Sequence, residues 1–194
     1  GSVIMQRLAL DHITAIDSHT AGHPTRVVTG GLPVLRGTSV AERMSYFQAH
    51  HDRLRTFLLH EPRGHAAMVG VVMTESAVAD FGAFFLGSYK YLEMCGHASI
   101  GLAITLDHMG LIAPNGEGRA SVTVEVPAGI ITLDLHYDGL RPRSVTLRNV
   151  PAFVAGSGEI ADGDRALGYE IAYGGNWYAL IDAAAAGVEL SPSG

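Results

Sequence analysis

Cys95 is the residue of this sequence best suited to chemistry, because it is the single cysteine and stands directly before an apolar segment, residues 96–109. A helix over that segment would place Cys95 at its N-cap, followed by Gly96, His97 and Ala98. The first N–H groups of a helix have no intrahelical partner, and that end carries about half a positive charge. We therefore predict a thiol with a lowered pKa, able to act as a base, beside backbone groups that can hold a small carboxylate.

The residues alone leave four roles open for Cys95: an inert buried side chain, an acid–base group, a covalent nucleophile and a metal ligand. A Cys–His nucleophile is disfavoured because His97 lies two residues further on and is expected on a different helical face. A metal site is disfavoured because a glycine and a proline break the helix that would align His19 with His23, and there is no second cysteine.

The composition restricts the class of protein and its partners. The chain has 194 residues, 47% hydrophobic and 16% charged, which is typical of a soluble globular protein. Its net charge is -6 and its 13 Lys and Arg are scattered, so we expect no nucleic-acid partner. No apolar run reaches the roughly 18 residues of a membrane span, and no signal peptide is recognisable. We expect a cytoplasmic protein without an internal disulfide.

Short apolar runs between turn residues predict an α+β fold with many strands. These runs are residues 12–17, 26–29, 68–74, 81–86, 121–126, 130–136, 144–147 and 178–182. One helix is predicted from the Ser39–Glu42 capping box to before Pro62, with Arg55 facing water. The second spans 96–109 with Gly110 as its C-terminal cap, and it is apolar almost all round, so we expect it buried among strands. The polar, glycine-rich residues 155–164 are interpreted as a loop.

The stretch MCGHASIG around Cys95 resembles the first catalytic motif of the proline racemase family, which includes proline racemases, hydroxyproline 2-epimerases and trans-3-hydroxyproline dehydratases. Three further stretches resemble the family in the same order: residues 17–33, 58–70 and 173–183. The resemblance implies a diaminopimelate-epimerase-like lobe, in which mostly antiparallel strands wrap around a central buried helix. The substrate would lie between this lobe and a second one.

The resemblance also implies a mechanism without cofactor or metal. One cysteine thiolate removes the α-proton of a proline or hydroxyproline ring, and a second thiol delivers a proton to the opposite face. By the match, Cys95 is one of these bases, and the backbone amides of Gly96 and His97 bind the substrate carboxylate. Val69 stands where many family members carry an aromatic residue, so it either lines a pocket suited to hydroxyproline or is a core residue of a strand.

The second motif of the family, a Cys-Gly-Thr-Gly-Thr turn, does not occur in this sequence. We therefore expect residues 3–183 to be an N-terminal lobe, residues 184–194 to lead toward a second lobe, and Gly1-Ser2 to remain from expression. By this interpretation the 194 residues alone are inactive, and an exposed apolar face would favour a homodimer. Two alternatives remain: a trans-3-hydroxy-L-proline dehydratase, and a lobe that binds a carboxylate without catalysis.

Overall fold

The computed structural model describes residues 12–191, which fall into two compact units that divide between Arg148 and Asn149. The predictions for Gly1-Ser2 and for residues 192–194 therefore lie outside the described residues. Helices and strands together confirm the α+β class. None of the helices in the described part of the chain is long and apolar enough to span a membrane.

The first unit contains two helices and eight strands within the described residues. Their bounds are β1 Thr14–Thr20, β2 His23–Gly30, α1 Val40–Leu59, β3 Val69–Thr74, β4 Phe81–Leu86, β5 Tyr91–Leu92, α2 Gly96–His108, β6 Arg119–Val126, β7 Gly129–Asp138 and β8 Arg141–Arg148. The sheet order is β1-β2-β3-β4-β6-β7-β8, with β5 beside β4. Two neighbouring pairs, β2 with β3 and β4 with β6, are parallel because α1 and α2 lie in the connections between them.

Helix α1 begins at the predicted capping box, in which Ser39 and Glu42 bond reciprocally to each other's backbone N–H. Its buried side packs on one face of the sheet in a cluster that includes Phe47, Leu54 and Leu58 of the helix. The expectation that Arg55 faces water is wrong, since its side chain is only 11% exposed. Arg55 pairs with Asp52 and donates to the carbonyls of residues 87 and 88, which draws it against the protein.

Helix α2 packs on the other face of the same sheet. It contacts β1, β2 and β3 near one end of the strand order and β7 and β8 at the other, so the sheet curls to bring both ends to one helix. The helix approaches β2 closely at Gly101, where an added Cβ would lie 3.0 Å from Thr25 Cβ and 3.1 Å from Ser18 Oγ. A glycine at this position is therefore a packing requirement.

The end of α2 confirms the predicted glycine cap. Gly110 has φ +71° and donates to the Asp107 carbonyl at 2.9 Å, while Leu111 N–H donates to Leu106 at 2.9 Å. This pair of bonds is the Schellman arrangement, which satisfies the last helical carbonyls. The helix ends at His108, one residue earlier than predicted, and Met109 is exposed instead of buried.

The second unit is a three-stranded antiparallel meander of β9 Phe153–Asp162, β10 Arg165–Tyr173 and β11 Trp177–Ile181. The interpretation of residues 155–164 as a loop is wrong, because β9 covers most of them. Gly158 explains the strand in part: it pairs with Tyr169 on β10, and an added Cβ would lie 2.7 Å from the Tyr169 hydroxyl. A cross-strand aromatic ring covers this glycine, and a residue pattern within β9 cannot show that.

Candidate functional site

Cys95 occupies the N-cap of α2, as predicted, with extended backbone angles of φ -145° and ψ 112°. Its carbonyl accepts the first helical hydrogen bond, from Ser99 N at 3.0 Å, and a second bond from Ser99 Oγ at 2.7 Å. The N–H groups of Gly96 and His97 precede that first bond and point out of the helix end. The thiol is free and half-buried, so it remains accessible beside these donors.

His97 is brought to the thiol, which corrects the expectation that the two side chains diverge. The His97 Nδ1 atom lies 3.4 Å from Cys95 Sγ, within hydrogen-bonding distance for sulfur. The 100° per residue of a helix does not apply between them, because Cys95 has extended rather than helical backbone angles. The site is therefore a cysteine and a histidine in direct contact.

The expected lowering of the thiol pKa is also wrong for this chain. Burial raises the pKa of the Cys95 thiol, because a partly enclosed sulfur loses the water that would stabilise its thiolate. The N–H groups of Ala98 and His97 act in the opposite direction, although neither makes a hydrogen bond of normal geometry to Sγ. The resting group is therefore an S–H whose proton His97 Nδ1 can accept.

His97 is held by the tip of the β1–β2 hairpin. Its ring stacks on the ring of His23 with centroids 3.6 Å apart and planes 10° from parallel. Its carbonyl accepts a hydrogen bond from Thr20 Oγ1 at 3.0 Å. Burial is the main cause that lowers the pKa of His97, and the nearby His23 charge adds to it. The Pro24 carbonyl opposes this, although Nε2 makes no hydrogen bond of normal geometry within the described residues.

The remaining predicted site residues, Gly96 and Val69, lie in different surroundings. An added Cβ on Gly96 would meet only a Leu147 side-chain carbon, at an ordinary 3.6 Å, so the space before the helix end is open. Val69 is the first residue of β3, is 8% exposed and pairs with Thr25 of β2. Its role as a pocket residue stays a prediction.

Two side chains at the hairpin turn satisfy backbone groups near the site. His19 Nδ1 accepts from Gly22 N at 3.1 Å, and Thr20 Oγ1 donates to the His97 carbonyl. The functional residue missed by sequence reasoning is His23, for which the sequence predicts at most a disfavoured role as metal ligand. In residues 12–191 no group of three potential ligands is positioned to hold a metal ion. The stack of His23 on His97 joins residues that are far apart in the sequence, and no local spacing of residues predicts it.

Comparisons with known proteins place the chain in a family. The profile described as "Proline racemase" matches residues 15–194. The proline racemase of Clostridioides difficile is 40% identical over 184 residues, which are 93% of this chain and 55% of that protein. A 4-hydroxyproline epimerase of Burkholderia pseudomallei strain K96243 is 43% identical over 176 residues, which are 89% of this chain and 54% of that protein.

Two crystal structures agree in fold. A hydroxyproline epimerase from Agrobacterium vitis, with trans-4-hydroxy-L-proline bound, has a TM-score of 0.85 at 28% identity and is matched over 93% of this chain and 54% of its own. A probable proline racemase from Agrobacterium radiobacter K84, with carbonate bound, has a TM-score of 0.85 at 27% identity, over 94% and 55% respectively. The chain spans about half the length of the relatives it matches. From its motifs, its profile match and these relatives, the chain belongs to the proline racemase family.

Proposed function

We propose that this chain supplies one catalytic half of a cofactor-independent proline or hydroxyproline racemase or epimerase, with Cys95 as its acid–base group. The observation that carries the proposal is the half-buried thiol at the start of α2, 3.4 Å from His97 Nδ1. The relative from Agrobacterium vitis, which binds trans-4-hydroxy-L-proline, supports the substrate class.

The chemistry follows from what the helix end offers. The Cys95 thiolate takes the α-hydrogen as a proton, and the electron pair left on Cα delocalises into the adjacent carboxylate. The N–H groups of Gly96 and His97 face the position where that negative charge grows, so they stabilise it more than the ground state. A second acid on the opposite face returns a proton to Cα. Because the chain has one cysteine, a second thiol has to come from outside these 194 residues.

The raised pKa of the Cys95 thiol fits a group that works in both directions. In one direction of the inversion at Cα, the resting S–H donates its proton to Cα. In the other direction Sγ first gives its proton to His97 Nδ1 and then accepts one from the substrate. Burial that raises the pKa of the thiol also makes its thiolate a stronger base toward carbon.

The finer features of the site and assembly belong to the same proposal. We assign Val69 to the wall of the ring pocket, and we assign residues 3–183 to a diaminopimelate-epimerase-like lobe with α2 as its central helix, supported by the contacts of both sheet ends with α2. A cytoplasmic location is supported by the free thiol, which persists in reducing compartments. A homodimer is supported by apolar side chains left exposed, among them Leu140 and Tyr89.

The activity test measures exchange of the α-proton of proline and of trans-4-hydroxy-L-proline in deuterated water with the full-length protein. We expect Cys95→Ser to keep its far-UV circular dichroism and to lose exchange by at least about 100-fold, the contribution of a positioned acid–base group. Ser45→Ala on the outer face of α1 is the matched control and retains exchange. Exchange retained in Cys95→Ser would exclude the role.

A binding test separates catalysis from simple carboxylate binding. Iodoacetamide can alkylate only one thiol in this chain, so its rate reports on Cys95 alone. We expect pyrrole-2-carboxylate, a planar analogue of the deprotonated ring, to slow alkylation at millimolar concentration, while pyrrolidine, which lacks the carboxylate, has no effect. Gly96→Ala fills the open space before the helix and abolishes the protection. Protection without exchange in the full-length protein would favour the non-catalytic binding lobe.

A further inference from the structure

The tip of the β1–β2 hairpin is a well-defined two-residue turn. Thr20 and His23 are its last paired residues, and between them Ala21 has φ 49° and Gly22 has φ 90°. Two successive positive φ values are typical of a type I′ turn, whose twist matches that of the strands. The side chains of Thr20 and His23 therefore leave the hairpin side by side from a fixed backbone.

Both of these side chains contact one residue of α2. Thr20 Oγ1 donates to the His97 carbonyl at 3.0 Å, although the two residues are 77 positions apart in the sequence. His23 lays its ring on the ring of His97 with centroids 3.6 Å apart. The hairpin tip thus fixes the backbone and the ring of the residue that touches the thiol.

His23 is itself held in orientation. Its Nε2 lies 3.0 Å from the Ala67 carbonyl, and because a carbonyl only accepts, Nε2 carries the hydrogen. The Ala67 segment is anchored in turn, since Ser88 Oγ donates to Ala66 at 3.0 Å and Met68 N–H donates to His65 at 3.0 Å. The His23 ring cannot turn without breaking the bond to Ala67.

We propose that His23 is a positioning residue for the Cys95–His97 pair: its ring keeps His97 Nδ1 toward Sγ and opposes protonation of the His97 imidazole. Two stacked imidazolium rings at this separation repel each other, so the resting His97 is neutral and its Nδ1 accepts a hydrogen bond from the S–H. A protonated His97 would instead donate to sulfur and favour the thiolate.

The charges around His97 agree with this role. His23 from β2 is the titratable group whose charge, when it is protonated, acts on His97; Cys95 is the titratable neighbour at the helix start, and the Pro24 carbonyl also faces His97. In the described residues no carboxylate is among the groups that shift the pKa of His97. The role of His23 in catalysis rests on the proposed function, whereas its effect on the reactivity of the Cys95 thiol does not.

The test is the pH dependence of Cys95 alkylation by iodoacetamide from about pH 5 to about pH 9, which spans the titration of histidine and thiol. His23→Phe keeps a flat ring for stacking but carries no charge. Loss of the His23 charge lets His97 take a proton more readily and stabilise the thiolate, so we expect the alkylation rate near pH 6.5 to rise about 3- to 10-fold. A general loosening of the structure around Cys95 would instead raise the alkylation rate by the same factor at every pH.

The control repeats the comparison in a His97→Gln background, which has no titrating ring at this position. We expect His23→Phe to leave the profile unchanged there. An unshifted profile in the native background, or an equal shift in both backgrounds, would overturn the proposal. His23→Gln retains an N–H donor for Ala67 and replaces His23→Phe if the latter loses its far-UV circular dichroism. Failure of the proposed function would appear in α-proton exchange and leave these profiles as they are.

Discussion

Arg26 on β2 connects the hairpin to the end of α1, and replacing it tests how that connection is stabilised. Its guanidinium pairs with Asp17 through bonds of 2.8 Å and 2.7 Å. Its Nη1 donates to the carbonyls of Leu58 and Arg63, each at 2.6 Å. The Arg26 side chain is 16% exposed, and the ion pair raises its pKa through the bond to Asp17. We consider Arg26→Met, which keeps the apolar stem and removes every donor.

The expected cost comes mainly from the buried carbonyl of Leu58. The pair with Asp17 contributes about 0–1 kcal/mol, because that carboxylate is half-exposed and water replaces the lost partner. A buried carbonyl left without a donor costs about 1–3 kcal/mol. The carbonyl of the buried Leu58 would be left without a donor and would incur this cost, whereas the exposed Arg63 carbonyl can bind water. We therefore expect Arg26→Met to lower the free energy of unfolding by about 1–4 kcal/mol.

Urea unfolding followed by far-UV circular dichroism measures this loss. Arg148→Met is the matched control in the same sheet: Arg148 pairs with Asp134 at 3.1 Å, but its side chain is 67% exposed. We expect the control to change the free energy of unfolding by about 0–1 kcal/mol. If Arg26→Met costs no more than Arg148→Met, the carbonyl argument is wrong.

Two further predictions concern α2 and α1. Gly101→Ala places a Cβ 3.0 Å from Thr25, so overpacking of about 1–3 kcal/mol exceeds the roughly 1 kcal/mol that alanine gains in a helix, and the melting temperature falls. Gly96→Ala, which meets only an ordinary contact, leaves the melting temperature unchanged or raises it. For α1, the hydrogen bond from Arg55 lowers the pKa of Asp52, so its stabilisation is present above the unfolded value of about 4 and is lost as pH falls through the lower folded value. Urea midpoints below about pH 4 should therefore decline less steeply in Asp52→Asn than in the native chain.

The features that the sequence could predict depend on neighbours in the chain. The position of Cys95 at a helix start, the Ser39 capping box and the Gly110 cap each involve residues within one helical turn, and all three are confirmed. Most strands of the curled sheet also lie where short apolar runs predict them. Local patterns are sufficient here because caps and amphipathic periods are satisfied by the segment itself.

The features that were missed depend on the assembled fold. The helix-end field around Cys95 is local, but burial of its sulfur is set by the whole unit, and burial decides the direction of its pKa. The stack of His23 on His97 needs the hairpin and α2 to be brought together. Strand β9 needs Tyr169 from its neighbour to cover Gly158. None of these contacts leaves a pattern in a short window of sequence.

Trp177, the single tryptophan of the chain, belongs to the meander and contacts Tyr173 and Phe153 with ring centroids 4.9 Å and 5.9 Å away. Its emission spectrum is consequently an optical reporter for the meander that holds these three rings, and it reports on the unit around the thiol only when the two units unfold together. A denaturation curve recorded by fluorescence and one recorded by ellipticity are separate experiments on this polypeptide, and a single transition midpoint should be quoted only when the two curves coincide.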